Sequence, residues 1–144
     1  MKVIIVDPKI TPAVERLCDL YLRPYPGTDG ALALCMGNIL IENGWIDAAY
    51  IEKYVHGFEE YKAYVKQFNE SNVEALTGVP YEQVLEACRM IWESSSMCIN
   101  ENSAPIPHHK NGFQNYRAIM ALLALTGNYD RVGGQLPDLH SFTH

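Results

Sequence analysis

The sequence predicts an α/β domain, rich in helix and built on a small parallel sheet. Short apolar, β-branched runs alternate with helix-period segments. The first run, Val3-Ile4-Ile5-Val6, halts at Asp7-Pro8-Lys9. The second, Leu20-Tyr21-Leu22, passes through Arg23-Pro24-Tyr25-Pro26 into a helix start at Gly27-Thr28-Asp29. In an open α/β sheet, ligands gather beyond the carboxyl ends of parallel strands, at the loops and helix N-termini found there. Both runs deliver an aspartate to that edge, which is the pattern of part of a nucleotide-type binding site.

Residues 3–6 read as a buried strand. Thr11 is placed to cap a short helix that Pro12 opens, and Leu20-Tyr21-Leu22 is a second strand. Residues 31–41 are apolar almost all round, so this helix is expected to be buried on more than one side, with Gly37 allowing a close approach. Asn43-Gly44 ends it. Asp47 caps the next helix, which carries Tyr50, Ile51, Tyr54 and Val55 and stops at His56-Gly57. A second stripe follows in Phe58, Tyr61, Tyr64, Val65 and Phe68. Pro80 opens a helix with Tyr81, Val84, Leu85, Cys88, Ile91 and Trp92 at helical spacing.

Met97-Cys98-Ile99-Asn100 reads as a third strand, expected in one parallel sheet with residues 3–6. It empties into a Pro- and His-bearing loop at 103–112. An apolar helix at 113–125, closed by Thr126-Gly127-Asn128, is expected to pack on that sheet, and the tail from Val132 to Pro137 has turn chemistry. So small a sheet does not cover the helices at 31–41 and 113–125. The chain therefore reads as a single partial domain cut from a larger one, with residues 31–41 the likeliest exposed apolar face and a homo-oligomer the expected consequence.

Composition narrows the classes. The 144 residues are 48% hydrophobic and 19% charged, as in a globular domain long enough for a real core. The formal net charge of −6, with eleven scattered Lys and Arg, argues against nucleic acid as a partner. No apolar run reaches bilayer-spanning length, so no membrane insertion is expected. The N-terminal run is too short and too β-branched for a signal-peptide core, and cytoplasmic expression is the expectation, with the compartment otherwise not legible. Cys18, Cys35, Cys88 and Cys98 form no CxxC pair and do not space with the histidines as zinc ligands do; they read as reduced thiols, three of them in apolar stretches. No GxGxxG, Walker loop, Ser/His/Asp set or paired carboxylates point to an autonomous nucleotide enzyme.

In order along the chain, several pieces resemble the molybdopterin oxidoreductase family. They are Val3 to Thr11, the run Leu22-Arg23-Pro24-Tyr25-Pro26-Gly27-Thr28-Asp29 with Ala31-Leu32-Ala33-Leu34 after it, and Ile41-Glu42-Asn43-Gly44 with Asp47. Gly57-Phe58-Glu59-Glu60 and Leu76-Thr77-Gly78-Val79-Pro80 follow, then Asn111-Gly112 through Thr126-Gly127-Asn128 to Gly133-Gly134. Members of that family carry a molybdenum bis(molybdopterin guanine dinucleotide) cofactor and include formate dehydrogenases, periplasmic nitrate reductases, dimethyl sulfoxide reductases and acetylene hydratase. The resemblance implies that residues 1–144 are the second half of a Rossmann-like dinucleotide-binding domain. The remaining domains of the parent would be its partners, and the iron–sulfur cluster and the molybdenum ligand would lie outside this chain. The isolated chain is then expected to be inactive, with no cofactor bound.

Carried over by position, the family's contacts to one guanine dinucleotide fall on Asp7, Pro8, Lys9, Ile10 and Thr11, and on Gly27, Thr28 and Asp29. Guanine presents adjacent N–H and NH₂ donors that one carboxylate, Asp7 or Asp29, accepts together, while Thr11, Lys9 and backbone N–H groups suit ribose or phosphate oxygens. The plainer alternative makes Thr28 an ordinary N-cap, Asp29 a favourable first-turn charge and Asp7-Pro8 a turn. In the 103–112 loop, Ala104 and His108 stand where relatives have a Met and a Gln facing the pterin, and Pro105 and Pro107 replace a flexible stretch. His108 can still donate a hydrogen bond to a pterin, whereas His108-His109 has no third metal ligand in view. The rival function is a free-standing binding or assembly module that keeps the fold without the chemistry.

Overall fold

The computed structural model describes residues 1–100 and 110–136. β1 (Ile4–Val6) and β2 (Leu20–Leu22) pair in parallel, in the register Ile4 to Leu20, Ile5 to Tyr21 and Val6 to Leu22. The crossover between them carries α1 (Pro12–Leu17), with Thr11 at the N-cap position and Pro12 in the first turn as expected, although the Thr11 side chain makes no capping bond. β1 is less buried than its composition predicts: Val6 is 43% exposed and Ile4 and Ile5 are half-buried. One flank of β1 has no neighbouring strand among the described residues, and α1 contributes no buried residue to cover it.

The centre of the molecule is a helix. α2 (Asp29–Glu42) buries Leu32, Ala33, Cys35, Met36, Ile39 and Leu40, and it packs against four other helices. These are α4 (Phe58–Val65), α5 (Val73–Thr77), α6 (Tyr81–Glu93) and α7 (Gly112–Leu125). The expectation that residues 31–41 leave an uncovered apolar face is therefore corrected. The amphipathic α6 presents Val84, Ala87, Cys88 and Ile91 to the core, and α7 presents Ala118, Leu122 and Leu125. An all-apolar helix is surrounded by helices where no broad sheet is present to bury it. Gly37 is the close approach the sequence predicts: an added Cβ would run into the Tyr61 hydroxyl.

α3 (Ala48–Tyr54) starts where expected, with an Asp47 carboxylate oxygen accepting from the Tyr50 N–H at 2.9 Å. α5 is not legible in the sequence because its five residues are too few to show a period. Two further expectations fail. Residues 97–100 form no strand, and the described sheet has two strands only. The Met97 N–H instead donates to Asn128 Oδ1 at 2.8 Å, and the Ile99 N–H to Gln135 Oε1 at 3.1 Å. Alternate N–H groups of this segment are thus satisfied by side chains of the segment after α7, and Cys98 is exposed. α7, for its part, packs chiefly on α2, and also on α3, where the sequence expects the sheet. The architecture remains helix-rich α/β with a small parallel sheet. No described helix is long and apolar enough to cross a membrane.

Candidate nucleotide-binding site

Past the strands, the ladder continues by one bond, from the Asp7 N–H to the Leu22 carbonyl at 3.1 Å. The chain then turns at Pro8, and the Asp7 carboxylate closes the turn by accepting the Lys9 N–H at 2.7 Å. Residues two apart on an extended strand share a face. Tyr21 and Arg23 use that geometry to hold the loop: the Tyr21 hydroxyl donates to the Asp7 carbonyl at 2.7 Å, and Arg23 Nε to the Pro8 carbonyl at 3.1 Å. Lys9 and Ile10 project from this braced loop into solvent, and Thr11 is half-buried.

The second group is held from other elements. The Tyr25 N–H donates to the Thr77 carbonyl at 2.7 Å, which ties the 23–28 connection to the end of α5. The Thr28 N–H and hydroxyl both turn back to the Tyr25 carbonyl, at 3.1 and 2.7 Å. Thr28 therefore occupies the N-cap position of α2 without capping it, and the leading N–H groups of the helix have no side-chain cap among the described residues. They form the positive end of the helix dipole, with half-buried Asp29 in the first turn. No side-chain hydrogen bond of Asp29 occurs among the described residues.

Asn115 is the functional candidate that sequence reasoning missed. It is 3% exposed on α7, and its Nδ2 donates to the Gly27 carbonyl at 3.2 Å. Its side chain lies where a Cβ on Gly30 would have to go, so α7 locks the entrance of α2. Asn111 Nδ2 approaches Asn115 Oδ1 at 3.5 Å from the turn before α7. The signal available in sequence was an amide in helical register with the apolar positions Ala118, Leu122 and Leu125.

The structure thus places Asp7, Pro8, Lys9, Ile10 and Thr11 in one loop, braced by β2. Gly27, Thr28 and Asp29 lie at the other end of the 23–28 connection, braced by α5 and α7. No hydrogen bond joins the two groups directly among the described residues. Ala104 and His108 lie outside the described residues. What the arrangement offers chemically is an available carboxylate, a helix N-terminus, an exposed ammonium and two stiffened loops, with no nucleophile–base pair in it.

The family model for molybdopterin oxidoreductases matches residues 1–142. The probable oxidoreductase YoaE of Bacillus subtilis (strain 168) is 37% identical over 119 residues, covering 83% of this chain and 17% of that protein. Formate dehydrogenase H of Escherichia coli (strain K12) is 32% identical over 128 residues, covering 88% and 18%. Among solved structures, the acetylene hydratase from Pelobacter acetylenicus superposes with a TM-score of 0.85 at 30% identity, over 94% of this chain and 18% of that one. The chain spans less than a fifth of the length of these relatives.

Proposed function

Since this chain belongs to the molybdopterin oxidoreductase family, we propose that it binds one guanine dinucleotide arm of a bis(molybdopterin guanine dinucleotide) molybdenum cofactor, as part of a larger enzyme and with no catalytic residue of its own. The observation that carries this reading is the availability of Asp29. The Asp7 carboxylate is engaged by the Lys9 N–H, whereas Asp29 stands at an uncapped helix N-terminus with no side-chain bond among the described residues. Asp29 accepts guanine's two adjacent donors, and Gly27 lets the base approach without a side chain in the way. Lys9 and Thr11, on the loop that Pro8 turns and Ile10 extends, hold phosphate and ribose oxygens. The bound molybdenum centre supplies the redox or hydration chemistry, and any iron–sulfur cluster is held by other parts of the parent.

One observation favours the second reading, a free-standing binding or assembly module: the chain's own helices cover α2. α7 is less covered, with Phe113 67% exposed, which favours contact with further protein.

Calorimetric titration with GDP and ADP separates the readings. Adenine turns a ring acceptor toward the carboxylate where guanine turns a donor, so a paired contact of about 1–3 kcal/mol gives GDP an advantage of roughly 5- to 150-fold. Asp29→Asn is expected to abolish most of that preference. Equal affinity for the two nucleotides, or no binding of either, would refute the guanine assignment.

A further inference from the structure

The opposite end of α2 carries a cavity of about 630 Å³, lined by Asn38, Glu42, Asn69, Glu70, Ser71 and Tyr81. Along a 14-residue helix it lies roughly 20 Å from Asp29, so it has no part in the nucleotide reading. Asn38 and Glu42 are one turn apart on α2, Tyr81 opens α6, and residues 69–71 form the turn before α5.

Two independent features mark it. Asn38 is 1% exposed, yet its side-chain nitrogen has no hydrogen-bond partner among the described residues. Buried amides are nearly always satisfied, and an orphaned one beside a cavity points to a missing acceptor. The second feature is charge. Glu42 and Glu70 belong to no ion pair among the described residues, and the last turn of α2 holds no basic residue. The negative end of the helix dipole adds to both carboxylates. Both glutamates line the same cavity as Tyr81, whose phenol is held above its ordinary range by burial first, then by Glu70, Cys35, Glu42 and Glu82. The rim is already set: Asn69 Oδ1 accepts the Ser71 N–H at 3.0 Å and its hydroxyl at 2.6 Å, and Asn69 Nδ2 donates to the Lys66 carbonyl at 3.0 Å.

We propose that this cavity binds an organic cation bearing a neutral hydrogen-bond acceptor, with the cation between Glu42 and Glu70 and the acceptor on the Asn38 amide. A carboxylate in the acceptor position would be repelled by the two glutamates. A divalent metal is the poorer occupant, because the described residues hold no cluster of three His, Cys, Asp or Glu side chains. The required chemistry occurs in an Arg or Lys residue of a polypeptide and in a free amino alcohol.

The test is an NMR titration of the chain with Nα-acetyl-L-arginine methylamide, ethanolamine, the uncharged Nα-acetyl-L-citrulline methylamide, and calcium chloride. At least one of the two cations is expected to saturate the Asn38 side-chain amide and Tyr81 ring shifts at millimolar concentration, and the tighter one identifies the source. The citrulline analogue should bind about tenfold more weakly or worse, and Glu70→Gln, at an exposed position, should weaken the cation about fivefold with the fold unchanged. Absence of saturable shifts with both cations, equal binding of the citrulline analogue, indifference to Glu70→Gln, or calcium binding in preference to the cations would each overturn the proposal.

Discussion

Replacing Tyr61 by phenylalanine is expected to stabilise this fold, and to reverse the sign of a second substitution at Gly37. The Tyr61 hydroxyl is buried with no hydrogen-bond partner among the described residues, and burial pushes its ionisation up to about 12. An orphaned buried hydroxyl costs about 1–3 kcal/mol, so its removal with the ring kept should gain about 1 kcal/mol, or about 3 °C in Tm for a domain of this size. Gly37 faces the same atom. A Cβ placed there collides with the hydroxyl oxygen, while the next ring atoms, Cζ and Cε1, stand at 3.2 and 3.4 Å. In the native background Gly37→Ala is overpacked and should cost about 1–3 kcal/mol. In the Tyr61→Phe background the colliding oxygen is gone, and the ring needs to give by only a few tenths of an ångström. The helix-propensity gain of about 1 kcal/mol for alanine over glycine then emerges. The coupling in the four-protein cycle, the cost in one background plus the gain in the other, should therefore be about 2–4 kcal/mol. Urea denaturation followed by circular dichroism measures it, provided the m-values agree across the set. Destabilisation by Tyr61→Phe of more than about 1 kcal/mol would show that the hydroxyl has a partner, and additive effects would show that the two sites do not collide; either result refutes the reasoning.

Two other expectations concern thiol chemistry and capping. Burial, aided by Glu42, pushes the Cys35 thiol up to about 12, and burial first, then Cys35, holds the Cys88 thiol well above its ordinary range. Only about 10⁻⁴ of Cys35 is thiolate at pH 8, a fraction that grows about tenfold per pH unit, so iodoacetamide should label Cys98 and Cys18 in the native protein and reach Cys35 and Cys88 only in denaturant, as peptide mass spectrometry would show. Native labelling of Cys88 at the rate of Cys98 would contradict this. At α3, Asp47→Ala should cost about 1 kcal/mol by losing the bond from the Tyr50 N–H, and Asp47→Asn should retain most of it, read from denaturation midpoints.

The parts of this protein legible in its sequence are those with local causes. β1 and β2 follow from β-branched and apolar runs that end at Asp7-Pro8 and Arg23-Pro24, α3 from the Asp47 cap, and α6 from a three-turn apolar stripe behind Pro80. The two site loops were also visible, because turn residues and a helix start declare themselves in a few consecutive positions. Other features depended on partners distant in the chain. Residues 97–100 have strand composition, but a strand needs a neighbouring backbone, and the Asn128 and Gln135 side chains take its N–H groups instead. The coverage of α2 likewise could not be read from α2, since it depends on which way the stripes of α6 and α7 turn. Asn115 belongs to the same class: an amide in an apolar helix acquires meaning only when folding sets it against Gly27 and Gly30. Secondary structure here is written by short-range sterics, turn chemistry and capping, which a sequence displays directly. The choice of packing partners is made by long-range burial, which depends on surfaces that exist only once the chain has folded.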